Sequence, residues 1–280
     1  MPIRFDGKKV RDEILAGIKE KINQSKLKPI LAVIWIGDDP VSARYVEQKQ
    51  RAAEFLGVHF DIIKFSATVK SAVIEKRIAE LNNDPLVCGI VLQLPLPKTL
   101  DQRKLIEIVK AEKDIDALRF CNKFQCDFRP PAVLAILQVL NTSGINLRDA
   151  SVAVIGRGVL VGGPLIRVLV HEVEDLRIAD DQTPNLATIT TDADVVISAT
   201  GHPGLIKPGM IKKGSILIDA GTSDVQGTLR GDMDSKAIAK SSFYTPVPGG
   251  IGPMTVALLY KNLLTAALQK SSVGNRYRSS

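Results

Sequence analysis

The 280-residue sequence holds only three cysteines, Cys88, Cys121 and Cys126. An odd and sparse set makes no disulfide framework and fits a reducing compartment. Cys121 and Cys126 have no histidine beside them, so they offer no zinc site, and no metal is expected. Cys88 stands in an apolar run and reads as a small core residue. Aromatic residues are scarce, at 5%. They are not interleaved with basic residues, and there is no basic stripe, which argues against nucleic acid as a partner. The formal charge of +7 is dispersed along the chain, the pair Arg276 and Arg278 being its one local cluster. Dispersed charge reads first as a solvated surface; attraction to a phosphate-rich ligand or another polyanion is the alternative. No apolar run reads as long enough to span a bilayer, and 1–9 lacks the apolar core of a signal peptide. Internal repeats and low-complexity tracts are missing as well. A soluble, cytoplasmic protein without a membrane partner is the expectation.

What the sequence has in quantity is Ala, Val, Ile and Leu, within a hydrophobic share of 45%. Apolar runs at 30–34, 89–92 and 152–155 suggest strands buried on both faces, as in parallel sheets. Elsewhere the spacing is helical: Val10, Ile14, Ile18 and Ile22 recur every four residues. The resulting order is helix 10–22, strand 29–36, helix 41–56, strand 59–65, helix 71–81, strand 88–93 and helix 101–111. An irregular, charged stretch at 114–131 reads as the connection between domains. Beyond it come helix 132–140, strand 151–155, helix 162–171 and strands 176–179, 194–199 and 215–220, then a loop at 245–253 and helix 254–268. Such alternation implies parallel sheets with helical crossovers, and the length suits about two domains. The expected fold is therefore α/β with two domains. The first is an N-terminal parallel-sheet catalytic domain over 1–118, with the C-terminal helix 254–270 packing back on it; the second is a Rossmann-type dinucleotide-binding domain over 132–250.

Three stretches carry chemistry. Strand 151–155 runs into Gly156-Arg157-Gly158 and then Gly162-Gly163-Pro164 at a helix start. Strand, glycine-rich turn and helix in that order suit a dinucleotide, whose pyrophosphate is drawn to the unpaired N–H groups of the helix. The spacing is a variant of the usual one, and a turn with packing glycines is the alternative. At the end of the next strand, Asp180 and Asp181 suit the 2′-hydroxyl of NAD, whereas Arg157 suits the 2′-phosphate of NADP. The two signals conflict, and the aspartates could equally cap a turn. Tyr45 and Lys49 lie four apart on one helix face, a ring beside an amine that burial could turn into a proton carrier. Taken alone, they also match a solvated pair. Gln93 ends an apolar strand, where open α/β sheets bind ligands, and Asp114 and Asp116 follow the first domain. The segment 245–255, with Pro246, Pro248 and Pro253 around Gly249-Gly250-Ile251-Gly252, is a stiffened loop that suits a ligand wall better than a plain turn.

Read together, these stretches identify a likeness. Tyr45-Val46-x-x-Lys49, Val91-Leu92-Gln93-Leu94-Pro95-Leu96-Pro97, Lys113-Asp114-Ile115-Asp116, Gly156-Arg157 with Val161-Gly162-x-Pro164, and the stretch 245–255 occur in order. With them the chain resembles the bifunctional methylenetetrahydrofolate dehydrogenase/cyclohydrolase family over nearly its whole length. The resemblance implies that Lys49 is catalytic in both activities, that Gln93 sets its state and that Asp116 anchors the pterin. It implies that Tyr45 stacks on the folate and that Pro248, Gly249, Gly250, Ile251 and Gly252 line it. Gly156, Arg157, Gly158 and Thr222 would touch the dinucleotide, with Asp181 at its ribose. The implied cofactor is NADP, with NAD open because of Asp180 and Asp181, and the implied assembly is a homodimer with a folate as its small-molecule substrate.

The chain also departs from the family. It has Ala117 where the family usually has glycine, Asp127-Phe128-Arg129-Pro130 where a Pro-Cys-Thr-Pro tetrad is common, and a shorter connection between the two points. Gly158 replaces a serine, and Asp180-Asp181-Gln182 replaces a segment that often reads His-Ser followed by a basic residue. Two other readings stay open at this point: a dehydrogenase that has kept one activity, and a dinucleotide-binding protein without catalysis.

Overall fold

A computed structural model of the chain describes residues 1–276; the basic pair of Arg276 and Arg278 falls outside its described side chains. In chain order the elements are β1 (Ile3–Arg4), α1 (Gly7–Ser25), β2 (Ile30–Ile36), α2 (Pro40–Leu56), β3 (His59–Phe65), α3 (Ser71–Asn83), β4 (Val87–Leu92), α4 (Gln102–Ile108), α5 (Leu118–Cys121) and α6 (Pro131–Ser143). They continue with β5 (Ser151–Ile155), α7 (Gly162–Leu169), β6 (Asp175–Ala179), α8 (Ala187–Thr190), β7 (Val195–Ser198), β8 (Ile216–Asp219), β9 (Ser223–Val225), β10 (Thr228–Arg230), α9 (Ser235–Lys240), β11 (Phe243–Tyr244) and α10 (Ile251–Arg276). The chain forms two compact units. The first takes 12–130 and the chain from Val256 on; the second takes 1–11 and 131–255.

In the first unit three parallel strands lie in the order β3-β2-β4. Strand β2 reads Ile-Leu-Ala-Val-Ile-Trp-Ile, and its side chains alternate between two apolar layers. Leu31 and Val33 join Val46, Ala53 and Leu56 of α2 and Leu259, Tyr260 and Leu263 of α10. Ala32, Ile34 and Ile36 join Ile74 and Ile78 of α3 and Leu105 and Ile106 of α4. Each such fully buried leucine or isoleucine contributes about 1.5–3 kcal/mol. Gly89 lets α10 and Ile115 pack closely on β4: a Cβ there would stand 2.8 Å from Leu263 Cδ1 and 2.9 Å from Ile115 Cδ1, and those side chains would have to shift.

Two expectations need correction in this unit. By length and composition alone, Ile251–Ser271 could cross a membrane, so a sufficiently long apolar run does exist. Its apolar residues Leu259, Tyr260, Leu263, Leu264, Ala266 and Ala267 lie in the protein core, which is the physical reason for its composition. The stretch 114–130 is not merely an irregular connection: it carries α5 and belongs to the first unit.

The second unit holds a six-stranded parallel sheet, β1-β11-β8-β7-β5-β6. Its central strands are apolar on both faces, and Val152, Ala153, Val154, Val195, Val196, Ile197, Leu217 and Ile218 are fully buried. The order reverses direction beside β5 and β7, the place where open α/β sheets bind ligands. Short β1 and β11 extend one edge, and β9 pairs with β10 as an antiparallel hairpin.

Candidate active site

Helix α2 is well specified at both ends. Asp39 accepts from Ser42 N at 2.7 Å, Pro40 occupies the first turn, and Gly57 closes the helix in the left-handed conformation. This places Tyr45 and Lys49 one turn apart, with opposite fates. Tyr45 is 46% exposed, whereas Lys49 is 7% exposed, so the pair is not a solvated helical face. Lys49 Nζ donates to Gln93 Oε1 at 2.9 Å and stands 4.0 Å from Asp116 Oδ2. Burial lowers the Lys49 pKa from its ordinary value, and the charge of Asp116 opposes that shift only in part. The neutral amine is thereby favoured more than in water.

Gln93 is fixed from behind. Its N–H donates to Ile34 O at 2.9 Å, extending the pairing of β4 with β2. Its Nε2 donates to Leu94 O at 2.8 Å, and Ser42 Oγ donates to the same carbonyl at 3.2 Å. The amide oxygen is thus turned toward the lysine.

The two aspartates after β4 differ in kind. Asp114 is 3% exposed and accepts from Leu118 N at 3.3 Å and Arg119 N at 2.7 Å, capping α5. Burial pushes its pKa up to about 6, against those backbone bonds. Asp116 keeps a quarter of its side chain exposed and is the carboxylate that faces the lysine. Between Asp116 and α5, Ala117 sits in the left-handed region at φ +56°, which explains why glycine suits this position.

Two residues of α10 that sequence reasoning passed over hold this arrangement. Tyr260 OH donates to the carbonyl oxygen of Lys49 at 2.6 Å. Asn262 Nδ2 donates to Ile115 O at 2.8 Å and Arg129 O at 3.0 Å, tying down both ends of the stretch that carries Asp116. The signal for Asn262 was present: an amide among Leu258, Leu259, Leu263 and Leu264 is buried only with partners.

In the second unit, β5 is followed by Gly156 at φ +96°, and a side chain at Gly162 would collide with Gly156 O. Those two glycines close the turn. Gly158 has open space around it, so the loop leaves an open cradle before α7, and the residues fit a dinucleotide phosphate. Open space also explains why glycine can replace serine there. Arg157 Nη1 meets Asp180 Oδ2 at 3.4 Å, so the two residues with conflicting signals pair with each other. Asp181 and Thr222 are exposed.

Against Gly221, the chain neighbour of Thr222, lie two buried acids that the sequence did not single out. Asp232 Oδ2 accepts from Ser198 Oγ at 2.6 Å and from Thr200 N and Oγ1 at 2.9 Å each, while Oδ1 has no hydrogen-bond partner among the described residues. Asp219 accepts from Gly221 N at 3.1 Å and Met233 N at 2.9 Å. Burial first, and the charge of Asp232 with it, raises the Asp219 pKa to about 7.

The stiffened loop is anchored within the second unit. Thr245 Oγ1 accepts from Asp219 N at 2.7 Å, and Gly249 O accepts from Gly7 N at 2.9 Å. Gly249 has φ +113°; Pro248 and Gly252 are exposed, while Gly250 and Ile251 are buried. Helix α10 starts at Ile251 rather than 254, because Pro253 falls in the first turn, where its missing N–H would have no partner anyway.

Comparison with known proteins agrees with this geometry. Residues 5–116 match the model of the tetrahydrofolate dehydrogenase/cyclohydrolase catalytic domain, and 130–271 match that of the NAD(P)-binding domain of the same enzymes. The chain is similar to the bifunctional protein FolD of Lactobacillus gasseri, with 38% identity covering 92% of this chain and 94% of the relative. It is similar to that of Staphylococcus aureus at 34% identity, covering 96% and 98%. Among solved structures it is similar to the bifunctional FolD methylenetetrahydrofolate dehydrogenase/cyclohydrolase of Campylobacter jejuni, with TM-score 0.91 and 30% identity over 96% and 99% of the two chains. The enzyme of Trypanosoma brucei, solved with NADP cofactor and an inhibitor, gives TM-score 0.88 and 31% identity over 96% and 98%. A polar lysine pocket, a glycine cradle and matches of this extent have one common explanation: the chain belongs to the tetrahydrofolate dehydrogenase/cyclohydrolase family.

Proposed function

We propose that the chain oxidises 5,10-methylenetetrahydrofolate to 5,10-methenyltetrahydrofolate with NADP and hydrolyses the product to 10-formyltetrahydrofolate. The observation that carries this reading is the buried Lys49, hydrogen-bonded to Gln93 and 4.0 Å from Asp116. Lys49, Gln93 and Asp116 are the catalytic set. Tyr45, with Pro248, Gly249, Gly250, Ile251 and Gly252, is assigned to the substrate. Gly156, Arg157, Gly158 and Thr222 are assigned to the cofactor, with Asp181 beside its ribose. In this reading 1–118 with helix 254–270 is the folate-binding catalytic domain and 132–250 the NAD(P)-binding domain; the enzyme works as a cytoplasmic homodimer.

The bound nicotinamide supplies the hydride acceptor. Loss of hydride leaves positive charge on the one-carbon bridge. A neutral Lys49 does not oppose that charge as an ammonium would, and Asp116 favours it. The exposed ring of Tyr45 offers the pterin a stacking face. In the hydrolysis, water adds to the cationic carbon and one of its protons passes to Lys49. The second leaves the new hydroxyl as the bond from carbon to N5 opens, and N5 takes up a proton. One proton is released in all. Gln93 accepts from Lys49 in both protonation states and keeps the nitrogen in place.

The test follows reduced-nicotinamide formation from methylenetetrahydrofolate, with NADP and NAD in parallel, alongside the methenyl chromophore. Turnover with transient methenyl product is expected. Reduction with a methenyl product that decays no faster than in buffer would leave a dehydrogenase alone, and no turnover with either cofactor would leave a binding protein.

A further inference from the structure

Asp180 and Arg157 leave the sheet side by side. Strands β5 and β6 pair up to Ile155 and Ala179; Asp180 follows directly, and Arg157 follows after Gly156. The carboxylate is bound on both sides. Its Oδ1 accepts from Gln182 N at 3.1 Å and Thr183 Oγ1 at 3.5 Å, while the backbone N–H of Asp180 donates to Thr183 Oγ1 at 3.0 Å. Thr183 N donates back to Asp180 O at 3.1 Å. The turn therefore fixes the side chain and aims Oδ2 at Arg157 Nη1, 3.4 Å away. Arg157 is 61% exposed, so its guanidinium keeps a face open to solvent, and Asp180 has 27% of its side chain exposed. Asp181 is exposed and takes no part in this ion pair.

We infer that Asp180 is the cofactor-specificity determinant of this chain, a resident counter-ion for Arg157 with which the 2′-phosphate of NADP must compete. The inference rests on the dinucleotide-binding reading above and deepens it. The end of the second strand is where a Rossmann sheet meets the adenosine ribose. A ligand with a free 2′-hydroxyl leaves the ion pair intact and finds a carboxylate to bond. A ligand with a 2′-phosphate gains Arg157 only by displacing or repelling the Asp180 carboxylate, which its turn holds in place. The expected result is an enzyme that accepts both cofactors, with its discrimination for phosphate blunted rather than abolished.

The test is calorimetric binding of 2′,5′-ADP and of 5′-AMP, which differ in the 2′-phosphate, to the full chain and to Asp180→Asn. Asparagine keeps an acceptor for the turn and removes the charge. Asp180→Asn should tighten 2′,5′-ADP by about tenfold and change 5′-AMP by less than about twofold. In an Arg157→Gln background the same substitution should give a much smaller gain, because only the direct repulsion between carboxylate and phosphate is then left to relieve. Asp181→Asn should shift the ratio less than Asp180→Asn does. An unchanged ratio in Asp180→Asn, an equal shift in Asp181→Asn, or an undiminished gain in Arg157→Gln would overturn the assignment while leaving the cofactor domain intact. Failure of the parent chain to bind either nucleotide would overturn the dinucleotide reading itself, and this inference with it.

Discussion

Lys49 in the first unit and Asp232 in the second are both ionisable groups in apolar surroundings, yet they are satisfied differently. Lys49 has one hydrogen bond, from a charged-capable amine to a neutral amide, with its nearest carboxylate 4.0 Å off. Asp232 takes three bonds on one oxygen, all from hydroxyl or backbone donors fixed by the fold. Asp219 and Asp114 follow the Asp232 pattern, held by backbone N–H groups. A carboxyl that holds structure is surrounded by donors that cannot leave. A group meant to move protons is left under-bonded, so that neither of its states is locked.

The sharpest way to break the comparison is Lys49→Ala. Cyclohydrolase activity, followed by decay of the methenyl chromophore, should fall by about two to four orders of magnitude. The urea midpoint should hold or rise, because a poorly compensated buried amine has gone, and cofactor affinity should be unchanged. A large loss of stability would place Lys49 among the structural charges. Next comes Asp232→Ala, which strands Ser198 and both donors of Thr200 and should destabilise by about 3 kcal/mol in urea titrations. Asp232→Asn retains the oxygen for those donors and fills the unpartnered position with an amide, so its loss should stay under about 1 kcal/mol. Equal losses in the two would mean that the three bonds do not carry the residue's contribution.

A pH series sharpens the same contrast. Asp219 has its folded pKa raised from 3.8 to about 7, so the folded state binds the proton more tightly than the unfolded chain between those values. Its contribution is therefore most favourable at low pH and declines as pH rises toward about 7. The stability advantage of the parent chain over Asp219→Asn should shrink between roughly pH 4 and pH 7 and level off above that; a gap that widens with pH would reverse the assignment. The smallest effect is at Ala117. Ala117→Gly relieves a left-handed alanine, worth about 1–2 kcal/mol, but loses a buried methyl worth about 0.8 kcal/mol and loosens the unfolded chain. The net change should fall within about 1 kcal/mol, read as a shift in urea midpoint.

Much of this was legible in the chain. The buried strands β2, β4, β5 and β7 show as apolar runs because both their faces are covered. Gly156 and Gly162 show because their turn leaves no room for side chains. The hairpin β9 with β10 was not legible: it is short, mostly exposed and polar, and carries no alternation. That Asp114 caps a helix was not legible either, since α5 is too short to announce itself by period. The role of Tyr260 and the partners of Asn262 were not legible for a different reason. Their partners lie 211, 147 and 133 positions away, and no local pattern encodes a bond of that span.

The bond from Tyr260 to Lys49 O has a consequence for how the protein is made. The unit that holds Lys49 is interrupted by the whole stretch 131–255 and resumes only at Val256. During synthesis the lysine pocket waits, short of one wall of its core, while the intervening sheet is translated. That sheet is complete in sequence first and can fold while the outer unit is still open. A chain released before its last helix would therefore carry a formed glycine cradle and an unfinished lysine pocket, with the apolar faces of β2 and α2 that α10 covers left open to chaperones and proteases.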